Sequence, residues 1–259
     1  MSRKDHYYNK SKQEGYRARS AYKLKQLNDE YSVVNQGNSV VDLGAAPGGW
    51  MQVAAQAVGQ NGSVVGVDLQ RIKDFDGDDI VADVSTVRGD MTDEDTRERV
   101  KEAVGGHVDV VISDMAPNMT GEYNLDHARS VHLARQALET AKELLGEGGN
   151  FAVKVFEGPD MKQFREDVAK DFAFSTTTSP KASRESSSEL YVVAKNFLTG
   201  PVREGDIVDV EIEDVGDEGD GIAKIDGFTI FVPDTEAGDE VEVRVTDVKP
   251  RFAFGKKRD

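Results

Sequence analysis

The sequence predicts an α/β protein in which a doubly wound, mainly parallel sheet of six or seven strands precedes a small all-β barrel. Short apolar runs alternate with helical patterns from residue 39 to residue 197, as in strands covered by helices on both faces. The first of these strands leads into a glycine-rich turn. After Gly200-Pro201 the pattern changes to short alternating strands separated by Gly and Asp turns.

Residues 1–30 form a basic, polar arm that leads into a helix. Ala21, Leu24 and Leu27 lie three apart and therefore share one helical face. Between residues 16 and 25, arginines and lysines are mixed with tyrosines, a combination that suits phosphate contact and base stacking. A solvated helix face is the alternative interpretation of the same pattern.

The stretch from Ser39 to Trp50, SVVDLGAAPGGW, indicates a buried strand, a glycine turn and the start of a helix, which continues through Met51–Val58. Such a unit usually binds a nucleotide-derived ligand at the carboxyl end of the sheet. Glycines that serve only the turn geometry are the alternative. The spacing is not G-x-G-x-x-G, which disfavours a dinucleotide-dependent dehydrogenase.

Two further acids follow along the chain. The second strand, 63–69, ends near Asp68, about twenty residues after the glycine turn, where a carboxylate can bind ribose hydroxyls or cap a turn. A weak third strand is expected at 79–84. Asp90 then lies in a loop at the same edge, where it contacts an adenine amino group or starts the helix at Thr92.

The segment HVDVVISDMAPNMTG predicts a buried strand at 108–112 that ends at Asp114, since Pro117 prevents its continuation. A helix follows from about Asp126 to Leu145, with its inner face formed by Val131, Ala134, Leu138, Ala141 and Leu145. Right-handed crossovers place Asp42, Asp68 and Asp114 near the carboxyl edge of the sheet.

The strand 151–156, FAVKVF, contains Lys154, a cation within an otherwise apolar run. Lysine is rarely buried unless it is paired, and snorkelling at the strand end is the alternative. A helix at 160–170 precedes two late strands, 171–179 and 189–197, that suggest a hairpin. Glu189 opens the second of them.

The last sixty residues predict a barrel of about five strands, because valines and isoleucines alternate at 208–212 and at 241–245. A candidate nucleic-acid face comprises Gly221–Lys224, Phe228, Phe231 and the tail RFAFGKKR. A barrel that only stabilises the chain is the alternative.

Composition limits the class of protein. The chain has 259 residues, a formal net charge of −16 and no cysteine, which excludes disulfides, thiolate metal sites and cysteine nucleophiles. No metal site is assigned, and because no apolar targeting segment is evident we expect a cytoplasmic protein. Both ends are basic, whereas acid dominates between them, as on proteins of halophiles. We therefore hypothesise a host that accumulates salt; ordinary acidic solubility is the alternative.

Together, DLGAAPGGW, SDMAPN and VKVF closely resemble the FtsJ/RlmE family of RNA ribose 2′-O-methyltransferases over about residues 10–197. The tail from about residue 200 resembles a TRAM domain, a small RNA-binding β-barrel. The resemblance implies a Rossmann-like methyltransferase domain at 1–198, an RNA-binding barrel at 199–259 and S-adenosylmethionine as the cofactor.

The resemblance also implies the site residues. The family's catalytic tetrad matches Lys23, Asp114, Lys154 and Glu189. The cofactor-binding positions match Gly48, Trp50, Asp68, Asp90 and Asp114, with Asp83 as a competitor of Asp90. Lys154 is the candidate base for the hydroxyl proton, or alternatively the group that orients the hydroxyl.

The implied function is transfer of a methyl group to the ribose 2′-hydroxyl of a uridine in 23S ribosomal RNA, by a monomer acting on the RNA or the large subunit. The basic arm would bind RNA phosphates, and the barrel would extend that contact. Two alternatives stay open: the same reaction on transfer RNA, and a non-catalytic RNA-binding factor of ribosome assembly.

Overall fold

The computed structural model describes residues 3–75, 80–184, 187–216 and 218–258. Two helices, α1 and α2, precede a seven-stranded sheet of order β3-β2-β1-β4-β5-β7-β6. The strands are β1 (Ser39–Leu43), β2 (Ser63–Asp68), β3 (Asp83–Arg88), β4 (Val108–Ser113), β5 (Leu145–Phe156), β6 (Phe172–Thr178) and β7 (Glu189–Phe197). The helices are α1 (Arg3–Gln13), α2 (Ala21–Tyr31), α3 (Gly49–Val58), α4 (Glu94–Val104), α5 (Tyr123–Leu144) and α6 (Met161–Asp171).

The sheet confirms the doubly wound prediction. Strands β1 to β5 pair in parallel, whereas β7 runs antiparallel between β5 and β6, so the expected late hairpin is present. Two apolar cores cover the two faces: α4, α5 and α6 pack on one, and α2 and α3 pack on the other. Because β1, β2, β4 and β5 all point the same way, their carboxyl ends share one edge.

Three elements differ from the prediction. The third strand occupies 83–88 rather than 79–84, and residues 76–79 lie outside the described residues. It is an edge strand with only Val87 buried, so it lacks the apolar run of a covered strand. The helix expected to reach Leu145 ends at Leu144, because Leu145 already pairs with Val108 in the sheet. Helix α1 lies in the arm, where only one helix was expected.

The C-terminal residues form a closed five-stranded barrel of order β10-β12-β11-β8-β9, which confirms that prediction. Its strands are β8 (Ile207–Val215), β9 (Gly221–Ile225), β10 (Phe228–Val232), β11 (Glu240–Val248) and β12 (Phe252–Lys257). The alternating Val241, Val243 and Val245 point into the barrel core.

The linker that joins the sheet to the barrel is held by hydrogen bonds to main-chain carbonyls. The Leu198 amide donates to the Asp171 carbonyl over 2.8 Å. The Arg203 guanidinium donates to the carbonyls of Leu198, Gly200 and Val202 at 2.6–3.1 Å. In the part of the chain that the structure describes, no helix is long and apolar enough to cross a membrane.

Candidate functional site

Lys154 occupies the carboxyl half of β5 and is the buried cation of the site. Lys154 is only 6% exposed. Its Nζ lies 3.1 Å from Asp114 Oδ1 and donates a hydrogen bond to the Asp114 carbonyl over 2.5 Å. Asp114 follows the neighbouring strand β4 directly. The lysine is therefore paired within the sheet edge, which removes the snorkelling alternative.

Lys23 and Glu189 complete the cluster from two other elements, α2 and β7. Lys23 Nζ lies 2.7 Å from Glu189 Oε2 and 3.9 Å from Asp114 Oδ1. Lys23 belongs to the basic stretch 16–25, which is predicted to contact phosphates, but it is buried and its charge is matched inside the protein. The structure thus brings together all four residues of the implied tetrad, from positions as distant as 23 and 189.

Tyr191 belongs to the same cluster and was missed by the sequence reasoning. Its hydroxyl donates to Asp114 Oδ1 over 2.6 Å, and its ring centroid lies 5.6 Å from Lys23 Nζ. Burial, together with the negative charges of Asp114 and Glu189, raises the pKa of Tyr191 well above its ordinary value, so its hydroxyl keeps its proton. The signal was present: Tyr191 lies two residues after Glu189 on a strand, and therefore on the same face.

A cavity of about 420 Å³ adjoins the tetrad at the carboxyl ends of β1, β2 and β4. Asp68, Asp90 and Asp114 line it, together with Met91 and Met115. A cavity of this size, with apolar walls and a few convergent polar groups, is typical of a small-molecule site.

Asp68 is fixed at the cavity by the backbone. Its Oδ2 accepts the Ala46 amide at 2.9 Å and its Oδ1 accepts the Gln70 amide at 2.7 Å. Each carboxylate oxygen retains a further lone-pair direction, so Asp68 is oriented by the two loops and can still accept a hydrogen bond from a ligand.

Asp90 does not start α4, which begins at Glu94, and its contact with an adenine amino group stays a prediction. Its Oδ1 accepts the Thr92 amide and hydroxyl, which forms a turn two residues before α4, and the same residue lines the cavity. Asp83, its competitor, starts β3 and pairs with Ser63 at the beginning of β2. Asp83 therefore lies at the opposite edge of the sheet, away from the cavity.

Gly48 and Trp50 lie beside the site but do not line the cavity. Gly48 has φ of +104°, and a Cβ there would lie 3.0 Å from Arg17 Nη1, so only glycine fits without strain. Trp50 is buried; its Nε1 donates to the Ser20 carbonyl over 2.9 Å and its ring packs on Tyr191 with centroids 5.8 Å apart. Their implied contact with a cofactor stays a prediction.

Asp42 lies beneath this edge, at the carboxyl end of β1, and is 1% exposed. Its carboxyl accepts the Met51 amide, while Oδ2 has no hydrogen-bond partner among the described residues. Burial first, and then the charges of Asp114 and Asp68, raise the pKa of Asp42 well above its ordinary value. The surroundings of this acid, just before the glycine turn, therefore favour its neutral form.

The basic arm makes more contacts with neighbouring loops than its sequence predicts. The Arg17 guanidinium donates to the carbonyls of Lys73 and Asp74, each over 2.6 Å, and stacks 3.7 Å from the Phe75 ring centroid. Arg19 donates to the Ala182 carbonyl over 2.8 Å. Tyr22, expected as a stacking residue, is buried instead. These side chains fix loops beside the glycine turn, in addition to any contact with RNA.

The barrel carries an aromatic cluster on strands β10 and β12. The rings of Phe231, Phe252 and Phe254 contact each other with centroids 5.5–5.7 Å apart, and Phe254 is exposed. Phe228, also expected on this face, packs on the barrel core and against Gly200. The aromatic cluster therefore consists of Phe231 and the two phenylalanines of the tail.

Comparisons with known proteins follow the two parts of the molecule. A family model described as FtsJ-like methyltransferase matches residues 16–197, and a TRAM domain model matches residues 201–257. Ribosomal RNA large subunit methyltransferase E of Halobacterium salinarum is 62% identical over 258 residues, covering 100% of this chain and 98% of that protein.

More distant proteins agree. The protein of the same name from Methanothrix thermoacetophila is 51% identical over 251 residues, and the match covers 97% of this chain and 95% of that protein. A crystal structure from Plasmodium falciparum, described as a ribosomal RNA methyltransferase, superposes with a TM-score of 0.61 at 25% identity, covering 70% of this chain and 98% of that one.

Proposed function

Because the chain belongs to the FtsJ-like methyltransferase family and carries a TRAM domain, we propose that it methylates the ribose 2′-hydroxyl of a uridine in 23S ribosomal RNA, with S-adenosylmethionine as methyl donor. The observation that carries the proposal is the convergence of Lys23, Asp114, Lys154 and Glu189 beside a ligand-sized cavity. The naming of the relatives as large-subunit ribosomal RNA methyltransferases supports this substrate over transfer RNA.

The cavity residues fit the donor. Asp68 can accept hydrogen bonds from ribose hydroxyls and Asp90 from an adenine amino group, while Met91 and Met115 supply apolar walls for the base. Gly44, where a Cβ would overlap the Met115 side chain, keeps the turn close to that wall. When bound, S-adenosylmethionine supplies a methyl group that is already activated by a sulfonium sulfur.

The tetrad acts on the acceptor hydroxyl. A 2′-hydroxyl is a weak nucleophile, so its oxygen must be positioned and its proton removed, and positioned general-base help is typically worth about 10²–10⁴-fold. Lys154 is the group that contacts the hydroxyl, and to act as the base it must be a neutral amine that accepts the hydroxyl proton. Asp114, fixed by Tyr191 over 2.6 Å, holds the Lys154 Nζ in place over 3.1 Å. Lys23, which is paired with Glu189, is the second cation near the Asp114 carboxylate.

Replacing Lys154 by alanine tests the tetrad. We expect Lys154→Ala to lose methyl transfer by at least about 10²-fold while the Kd for S-adenosylmethionine stays within about twofold, since the amine acts on the acceptor. Tritium transfer from labelled cofactor and isothermal titration measure the two quantities.

Lys162→Ala is the matched control, because Lys162 is a lysine of α6 whose side chain is 88% exposed and pairs with Glu166 of the same helix, not with the tetrad. Its turnover should equal that of the wild type. Near-normal turnover in Lys154→Ala would remove Lys154 from the proposed chemistry.

The substrate is tested by offering labelled cofactor with large ribosomal subunits, naked 23S ribosomal RNA or transfer RNA, followed by mapping of the methylated nucleotide. We expect a single ribose-methylated uridine in the ribosomal samples. Label in transfer RNA alone would support the runner-up function. We further propose a cytoplasmic monomer whose catalytic domain spans 1–198, with its basic arm at 1–30, and whose barrel spans 199–259.

A further inference from the structure

We propose that Tyr123, at the start of α5, is a fixed stacking platform for a nucleobase of the substrate RNA next to the methylated ribose. The inference rests on the proposed function and deepens it, since it names a contact with RNA that the tetrad and the cofactor cavity do not provide. It is carried by four observations: position, rigidity, exposure and charge.

The position of Tyr123 near the tetrad follows from a hydrogen bond that joins two loops. The Tyr123 hydroxyl donates to the Glu157 carbonyl over 2.8 Å. Glu157 follows Lys154 by three residues, about 10 Å along an extended chain. The loop that leads to Tyr123 starts at Asp114, whose carboxylate contacts Lys154. Tyr123 thus joins the two loops that leave the strands carrying Asp114 and Lys154.

Rigidity comes from Asp126, which is buried one helical turn further on. Its Oδ1 accepts the amide and hydroxyl of Thr120, each over 2.8 Å, and its Oδ2 accepts the Gly121 amide over 3.0 Å. These hydrogen bonds, led by the Thr120 amide, lower the pKa of Asp126, so the carboxylate stays ionised and the loop stays pinned at neutral pH. The tyrosine ring is therefore ordered before any RNA arrives.

Exposure distinguishes this ring from the other aromatic rings near the tetrad. Tyr123 is 56% exposed, whereas Trp50 and Tyr191 are buried. Met119 and Leu125, its neighbours along the chain, are also exposed. A tethered aromatic ring with an open face and apolar neighbours offers the surface on which unstacked RNA bases are bound.

Charge selects a base rather than a phosphate as the occupant. Glu122 directly precedes Tyr123, and the Glu157 carbonyl accepts the Tyr123 hydroxyl; both glutamates are exposed, and their negative charges disfavour a phosphate group here. Stacking uses the π face of an uncharged base and needs no cation. The ring therefore suits a base held away from the helix, with the phosphates directed elsewhere.

The test compares Tyr123→Ala, Tyr123→Phe and the matched control Phe174→Ala, an exposed aromatic residue on β6 with 44% exposure. For Tyr123→Ala we expect the Kd and KM for naked 23S ribosomal RNA to rise about 5- to 150-fold, the range given by roughly 1–3 kcal/mol for one stacked base. Tyr123→Phe should retain most of the affinity because it keeps the ring. Phe174→Ala and the Kd for S-adenosylmethionine should not change.

A second measurement needs no variant. Wild-type protein is irradiated with a 23S transcript that contains 5-iodouridine, and the cross-linked peptide is identified by mass spectrometry. We expect the peptide that contains Tyr123. Cross-links confined to other peptides, or an unchanged RNA Kd in Tyr123→Ala, would overturn the proposal.

Two further outcomes separate related ideas. If Tyr123→Ala weakens binding to intact large subunits but not to naked RNA, the partner is a ribosomal protein and the proposal is wrong. If the wild type cross-links through Tyr123 but methylates no ribosomal RNA, the stacking platform stands and the proposed function fails.

Discussion

At the scale of single residues, the candidate site contrasts two acids at one sheet edge. Asp114 accepts hydrogen bonds from Tyr191 and Lys154 and lies 3.9 Å from Lys23, so cations and a hydroxyl surround it. Asp42 has one amide donor and an unsatisfied oxygen in the described structure. Asp114 is thus paired with cations, whereas the surroundings of Asp42 favour its neutral form.

The raised pKa of Asp42 makes the free energy of unfolding depend on pH. Since its pKa is raised in the folded state, the group confers stability that is complete below about pH 4 and is lost as pH rises towards the folded-state value. We therefore expect Asp42→Asn, which cannot titrate, to lose less unfolding free energy than the wild type between pH 5 and pH 8. Urea unfolding at several pH values measures these slopes.

The matched control is Asp83→Asn, an exposed acid at the opposite edge of the sheet. It should show the slope of the wild type. Parallel profiles for Asp42→Asn and the wild type would show that Asp42 is ionised when buried.

The residues that could be predicted from the sequence are those held in short, specific motifs. Lys154 stood out as a cation in an apolar strand, and Asp114 as an acid at a strand end. Tyr191 shares a strand face with Glu189 in the sequence pattern, but a tyrosine in a strand is ordinarily a core residue, and that pattern does not place its hydroxyl beside Asp114. The contacts of Arg17 with the loop at 73–75 join parts of the chain that no local pattern connects.

At the scale of elements, burial decided which strands could be predicted. The covered strands β1, β2 and β4 read as continuous apolar runs. Strand β3 lies at the edge of the sheet and has one buried residue. Its polar sequence therefore lacks a clear strand pattern, and the predicted strand begins four residues before the observed one. The barrel strands alternate with period two because they have one buried and one solvated face, and that pattern predicted them.

The aromatic cluster of β10 and β12 provides a prediction for the barrel. If Phe231 and Phe254 stack on RNA bases, their joint replacement by alanine should raise the KM for ribosomal RNA about tenfold or more, since each stacked base contributes roughly 1–3 kcal/mol. Steady-state kinetics with the RNA varied would measure it. The Kd for S-adenosylmethionine should not change.

Ile207→Ala is the control, because Ile207 is an exposed apolar residue on β8, which pairs with neither β10 nor β12. It should leave the KM unaltered. Equal KM values for the double variant and the wild type would assign the cluster to barrel stability alone.

At the scale of the whole molecule, the net charge of −16 is the dominant property. Several relatives come from halophilic archaea, which agrees with the acidic composition. Salt screens repulsion between like surface charges, because the Debye length falls from about 10 Å at 0.1 M to about 3 Å at 1 M. We therefore expect the folded chain to be more stable where salt is abundant.

We accordingly expect the melting temperature to rise between 0.1 M and 2 M KCl, measured by circular dichroism. A neutral osmolyte at equal water activity is the control, since it does not screen charge; it should reproduce only part of the rise. Equal melting temperatures at both KCl concentrations would contradict the salt hypothesis.

Strand β7 has a consequence for the order of synthesis. It is the last strand of the sheet in the sequence, yet it lies inside the sheet, pairs Tyr191 with Lys154 and carries Glu189 to Lys23. A nascent chain that has released only residues 1–180 from the ribosome lacks Glu189, which pairs with Lys23, and Tyr191, which donates to Asp114. Completion of the candidate site is therefore tied to near-completion of translation, and a fragment that ends before residue 189 lacks both an internal strand of the sheet and a complete tetrad.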